Sequence, residues 1–227
     1  MSGPIQWVSI KGFEVTQSEI TNAQYQACVD AGACKSPHWD DKSCLIYQNR
    51  ELVKRALPTG SRRGDMPVVC ISWRQAKAFA RWTGGRLLSE SEWEFLARSG
   101  DKTYIYPWGK DEATCERAVM SLPQGAGCGA EQPWPVCSKS MGINSMGLCD
   151  LAGNVWEWVE DSYAPSYERV PTDGSPRRGG GTKVIRGGAF TSDTRGLRAS
   201  TRGRYSGRDR ANFVGFRVAR AEFFGEE

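Results

Sequence analysis

The sequence predicts an α+β domain with short strands, three helices and much irregular chain. Three observations carry this. Reciprocal capping residues open three helical stretches. Runs of β-branched and aromatic residues sit near the two ends of the chain. The long middle is rich in Gly, Pro, Ser and Cys with isolated Trp. A chain of 227 residues can bury one core, so a single domain over 1–227 is expected.

The helix starts come first. Thr21 and Gln24 form a capping box, with Ile20 and Tyr25 placed as a hydrophobic staple, so a helix should run to about Gly32. Ser72 and Gln75 form the second box, and Ala76, Phe79, Ala80 and Trp82 follow at helical spacing before Gly84 and Gly85 stop it. Ser89 and Glu92 form the third, with Leu88 and Trp93 as the staple and Gly100 as the stop. Such side chains satisfy backbone donors that a helix start leaves unpaired.

Strands are predicted at Ile5–Ile10, Lys183–Arg186 and Val214–Ala219, and pairing of the two terminal runs would join the chain ends. Gly100 to Lys183 is too long for a structureless loop, so rings, disulfides or ions must hold it. Trp73, Trp82, Trp93, Trp156 and Trp158 are assigned to the core. Arg186 and Arg217 are expected to pair with acids beside the sheet. The stretch Ser175–Gly181 is the candidate mobile loop.

Composition excludes some classes. Hydrophobic residues make up 39% and charged residues 25%, as in ordinary globular domains. No apolar run approaches the roughly 20 residues of a membrane span. The opening MSGPIQWVSI lacks the basic and apolar regions of a signal peptide. A net charge of +4 says little about partners, although Arg195, Arg198, Arg202, Arg204, Arg208, Arg210, Arg217 and Arg220 crowd the C-terminal stretch. The eight cysteines show no CxxC spacing, which argues against a zinc ribbon or thioredoxin-type site. An even number in loop-like sequence favours disulfides and an extracellular, periplasmic or surface location; eight reduced thiols in a cytoplasmic protein is the other reading. About a hundred pairings are open. Pairing of sequence neighbours (28 with 34, 44 with 70, 115 with 128, 137 with 149) is the expectation.

The motifs "EITNAQY" (19–25), "PVVCISWRQAKAFARW" (67–82), "GRLLSESEWEFLARSG" (85–100), "YPWG" (106–109), "NSMGLCDLAGNVWEWVED" (144–161), "VIRGGAF" (184–190) and "GFRVAR" (215–220) follow one another. In this combination they resemble the formylglycine-generating-enzyme (sulfatase-modifying factor) family, over nearly the whole chain. The resemblance implies a variant of the C-type-lectin-like fold, with a small twisted antiparallel sheet.

It also implies chemistry that this chain lacks. The family's oxidising members bind copper through a cysteine pair after "RGG", and thiolates are soft ligands suited to Cu(I). Ser192 and Leu197 stand at those positions, and every cysteine precedes Asp150. Another branch uses iron held by several histidines, whereas this chain has only His38. A serine triad built on His38 is the weaker reading beside a plain loop histidine. No Walker A motif is present, because Gly180 stands where Lys is required. The expectation is therefore no catalytic residues and no catalytic metal.

The resemblance does imply a structural calcium loop in "DLAGNVWE", with side-chain oxygens from Asp150 and Glu157 and carbonyls from Gly153 and Val155. Simple hydrogen bonding of a long loop by Asp150, Asn154 and Glu157 is the alternative.

Residues 189–214 would form the surface where the family's enzymes place their active site. Small polar residues, Arg and Tyr suit adaptable binding. Certain family members are variable proteins of diversity-generating retroelements, which mutate adenines in a cassette between "RGG" and "GFR". Mutating AAC or AAT codons cannot give Glu, Lys, Met, Gln or Trp, and all five are absent from Ala189 to Val218. The resemblance then places ligand contacts among Phe190, Thr191, Ser192, Asp193, Thr194, Arg202, Arg204, Tyr205, Arg208, Asp209, Arg210, Asn212 and Phe213. The first functional expectation is a non-enzymatic protein that binds a protein or other macromolecule. The second is an enzyme or pseudoenzyme acting on a peptide or small metabolite, with Ser192, Tyr205 and Arg208 in its site. A nucleic-acid partner for the Arg cluster is the third and least favoured.

Overall fold

The computed structural model describes residues 7–168 and 170–222. Helices α1 (Asn22–Asp30), α2 (Trp73–Trp82) and α3 (Glu90–Ala97) start where the capping boxes place them, and all three boxes are closed in both directions. Strands β1 (Phe13–Val15) and β8 (Ala219–Ala221) pair antiparallel, which brings the two ends of the described chain together. Strands β2 (Leu45–Gln48) and β3 (Glu51–Lys54) form a hairpin. A four-stranded sheet has the order β6-β5-β4-β7, from β4 (Trp156–Ser162), β5 (Thr182–Arg186), β6 (Arg202–Ser206) and β7 (Val214–Gly215). Only the β4–β7 pair is parallel.

Alternation along β4 divides the core between the faces of this sheet. Trp158 enters a cluster with Tyr25, Phe79 and Phe216, which pack with ring centroids 5.4 to 6.5 Å apart. Val159, on the other face, joins Trp93, Leu96 and Val184 under α3. The long middle is tied down by disulfides Cys115–Cys128 and Cys137–Cys149, while Cys28–Cys34 and Cys44–Cys70 tie the first third. Every cysteine pairs with its expected neighbour, and none is free. This matches the chemistry of an oxidising compartment.

Some expectations need correction. Residues 7–10 form no strand, and Ile5 and Gln6 lie outside the described residues. Trp7 is 90% exposed, and the run meets the 172–174 segment through a single backbone bond, the Ser9 amide to the Thr172 carbonyl at 2.8 Å, with no ladder among the described residues. The pairing partner of the C-terminal strand is Phe13–Val15 instead. The predicted strand Val214–Ala219 is broken at Phe216–Val218, where Phe216 turns into the aromatic core and Arg217 turns to Glu157. Trp82 is 43% exposed; it ends α2, with its ring tilted against Phe79 at 5.7 Å. Among the described residues no helix is long and apolar enough to cross a membrane.

Candidate ligand-binding surface

The segment after β5 begins with a sharp turn. Gly187 (φ 96°) and Gly188 (φ 76°) occupy left-handed backbone, and a Cβ on Gly188 would lie 2.8 Å from the Gly196 carbonyl oxygen. The chain then plunges inward. Ala189, Phe190 and Leu197 are fully buried. The Phe190 amide donates to the Asn154 carbonyl, and its own carbonyl accepts from Gly127, both at 2.8 Å. Between these anchors Ser192 Oγ accepts from the Ala189 amide, and Asp193 Oδ1 accepts from the amides of Arg195 and Gly196, all at 3.0 Å.

The far end of the segment is fastened to the β2–β3 hairpin. The Leu45 amide donates to the Arg210 carbonyl, and the Asn212 amide donates to the Leu45 carbonyl. Asn212 Oδ1 accepts from the Tyr47 amide at 2.9 Å. Half-buried rings line both ends of the segment: Tyr47 meets the buried Phe190 edge-on at 6.1 Å, and Tyr205 meets Phe213 at 6.0 Å. Trp156 lies over Gly203, where a Cβ would come within 3.2 Å of its ring. Tyr47, Trp156, Tyr205 and Phe213 thus form an aromatic floor.

The candidate contacts separate into three groups. Asp193, Arg204, Arg208 and Asp209 are exposed on the rim. Thr191, Ser192, Thr194, Tyr205, Arg210 and Phe213 are half-buried around the floor. Phe190 and Asn212 are corrections: at 0% and 3% exposure they anchor the backbone and cannot meet a ligand. Arg202 is also committed to the scaffold, with its guanidinium bidentate on Glu90 at 2.6 and 2.7 Å and lying over Tyr163 and Tyr167. Glu90 and Glu94 in turn meet the buried Arg186, as the acid pairing of that arginine predicts. Tyr47 was not singled out by the sequence. Its hairpin turns at Asn49 and Arg50, both left-handed, without the glycine that usually marks such a turn.

His38 stands apart, with Nδ1 2.5 Å from Asp41 Oδ2 in an open loop. Leu197 fills core space with Tyr106 and Met120.

The implied calcium loop is a different matter. Asp150 and Asn154 (φ 56° each) and Gly153 (φ 86°) make a tight left-handed turn. Asp150 Oδ2 accepts from the Cys137 amide at 2.6 Å. Both Glu157 oxygens accept from Arg217, and Oε2 also accepts from the Trp93 indole at 2.7 Å. Calcium takes about six to eight oxygens. Here Glu157 accepts three hydrogen bonds from protein donors, two on Oε2 and one on Oε1, and among the described residues no cluster of three or more acidic, His or Cys side chains could hold an ion. Glu19 also lies buried here, with both oxygens unpartnered. Burial first, then the charges of Asp150 and Glu157, push its carboxyl well above the usual range.

With this geometry in view, comparison with known proteins decides the family. The sulfatase-modifying factor enzyme 1-like domain model matches residues 2–222. The chain belongs to this family. Among family relatives, the formylglycine-generating enzyme of Streptomyces coelicolor is 30% identical over 225 residues, covering 82% of this chain and 70% of that protein. The hercynine oxygenase of Mycobacterium tuberculosis is 28% identical over 242 residues; the match covers 95% of this chain and 54%, about half, of that protein. Treponema denticola variable protein 1 shares the fold with a TM-score of 0.73 at 20% identity, over 95% of this chain and 86% of that one. The family architecture here is the C-type-lectin-like α+β variant.

Proposed function

We infer that the chain is a non-enzymatic binding protein that displays residues 189–214 to a protein or other macromolecule, as a variable protein of a diversity-generating retroelement. One observation carries the reading. Within this segment, buried anchors hold the backbone while the exposed side chains of Arg195, Arg198, Arg208 and Asp209 have no hydrogen-bond or ion-pair partner among the described residues. Such positions can change without disturbing the scaffold. Supporting it, Ser192 and Leu197 replace the thiolates that the family's copper chemistry needs, and all cysteines are in disulfides. The disulfides favour an extracellular, periplasmic or surface setting.

Two relatives with enzyme names favour a second reading, an enzyme or pseudoenzyme acting on a peptide or small metabolite. Sequencing the DNA on both sides of the gene tests the first reading. A repeat that differs from the 189–218 codons only at adenines, beside a reverse transcriptase, is the expected result. No repeat, together with turnover of a cysteine-containing peptide, would establish the second reading instead.

A further inference from the structure

We propose that the free edge of β6 captures an extended acidic polypeptide by strand addition. The proposal rests on the binding-protein reading and names the chemistry of its partner. Strand β6 is the outer strand of the four-stranded sheet. One residue beyond its end, the Gly207 amide donates to the Gly181 carbonyl at 2.9 Å, in line with the register Thr182↔Ser206. Bonded and non-bonded pairs alternate along an antiparallel ladder. Lys183↔Tyr205 and Ile185↔Gly203 are therefore the bonded pairs, and the backbone groups of Arg202, Arg204 and Ser206 face away from β5. Among the described residues only the Ser206 carbonyl finds another partner, the Asp209 amide at 2.9 Å.

An open edge is a template for another strand, and proteins usually blunt it with proline, a bulge or a cover. Strand β6 contains no proline, and its register with β5 runs without a shift. What guards it is charge: Arg202 and Arg204 lie on the strand, with Arg208 just beyond. Arg204 and Arg208 have no carboxylate partner among the described residues; Arg204 rests over the Tyr163 ring at 5.0 Å. A second copy of this strand would set arginine against arginine. An acidic strand would set opposite charges across the new pair, which is the favourable case. The same arginines that discourage self-pairing thus select the partner, with main-chain bonds supplying affinity.

The test is an amide-resolved NMR titration with an acetylated, amidated octapeptide of alternating Glu and Val. Two controls accompany it: a copy N-methylated at alternate residues and a Lys–Val counterpart. The Glu–Val peptide should slow exchange of the Arg202, Arg204 and Ser206 amides. Both controls should bind about tenfold more weakly, the loss of roughly one or two hydrogen bonds or ion pairs. The double variant Arg204→Glu with Arg208→Glu should lose a similar factor with an unchanged melting temperature. Equal binding of the N-methylated copy, or unprotected β6 amides at saturation, overturns the proposal. The adenine-repeat experiment is separate. A repeat found together with unprotected β6 amides would overturn strand addition alone and leave the binding protein standing.

Discussion

Arg217 grips Glu157 in a bidentate ion pair that solvent does not reach. Nε lies 2.7 Å from Oε2 and an NH2 nitrogen lies 2.6 Å from Oε1, with side-chain exposures of 0% and 1%. The same guanidinium donates to the Cys149 carbonyl at 2.9 Å, so one side chain links β4, the last disulfide and the turn between β7 and β8. Removing one member of a buried pair strands the other charge, at about 3–5 kcal/mol. Arg217→Met should lose that much stability in chemical denaturation. Arg217→Lys should also lose stability, since an ammonium cannot reproduce the fork. Methionine at both positions should recover most of the loss. Single variants within about 1 kcal/mol of the parent would show the pair to be dispensable.

The Cys44–Cys70 disulfide spans 26 residues and holds the β2 end of the hairpin to the approach to α2. Closing a loop of this size stabilises by about 3–4 kcal/mol. Replacing both cysteines by alanine should lower stability by that order. It should also weaken ligand capture, because Tyr47 and the Asn212 clasp depend on the hairpin. A melting temperature equal to the parent's in non-reducing buffer would refute the assignment.

Asp161 supplies a pH dependence with a definite sign. Burial is the chief cause that lifts its carboxyl from 3.8 to about 6; amides of Arg177 and Glu90 oppose the rise, and the charges of Glu90 and Glu160 add to it. An acid raised on folding keeps its proton in the native state at pH values where the unfolded chain has lost it. Its contribution is therefore intact below about pH 4, falls as pH rises, and is lost above about pH 6. Asp161→Asn should flatten this part of the stability profile between pH 4 and 6. A carbon-detected NMR titration should find the carboxyl midpoint near the upper limit; an ordinary aspartate midpoint would refute it.

Local chemistry explains what the sequence could reveal. Thr21, Ser72 and Ser89 cap helices through residues three positions away, so the helix starts were readable. The disulfides joined sequence neighbours, the simplest of the open pairings. Strands depend on partners remote in sequence. Phe13–Val15 is a strand only because Ala219–Ala221 lies beside it, and Trp156–Ser162 lay hidden in a stretch that reads as irregular. Within the candidate segment, the sequence does not sort inward from outward residues. Phe190 and Asn212 look like surface vocabulary until the fold puts Tyr47 against both. Likewise, the partner of Glu157 is Arg217, 60 residues away in sequence.

That sorting makes the last prediction, which concerns tolerance within one segment. Arg195, Arg198, Arg208 and Asp209 extend into solvent without side-chain partners among the described residues, so replacing any of them by Ser or Ala should change stability by no more than about 0.5 kcal/mol. Phe190→Ala empties a fully buried ring site between Tyr47 and Val119 and should lose about 3–5 kcal/mol. Asn212→Ala removes the acceptor for a hairpin amide and should lose about 1–3 kcal/mol. A display library randomised across 189–214 and selected only for folding checks all of these together. Folded clones should retain Phe190, Leu197, Ala211 and Asn212 and vary freely at the rim. Uniform intolerance would mean that the rim residues hold the fold, and the segment could not vary as a diversified surface must. Tolerance confined to the rim is the physical condition for a surface that changes its ligand without changing its fold.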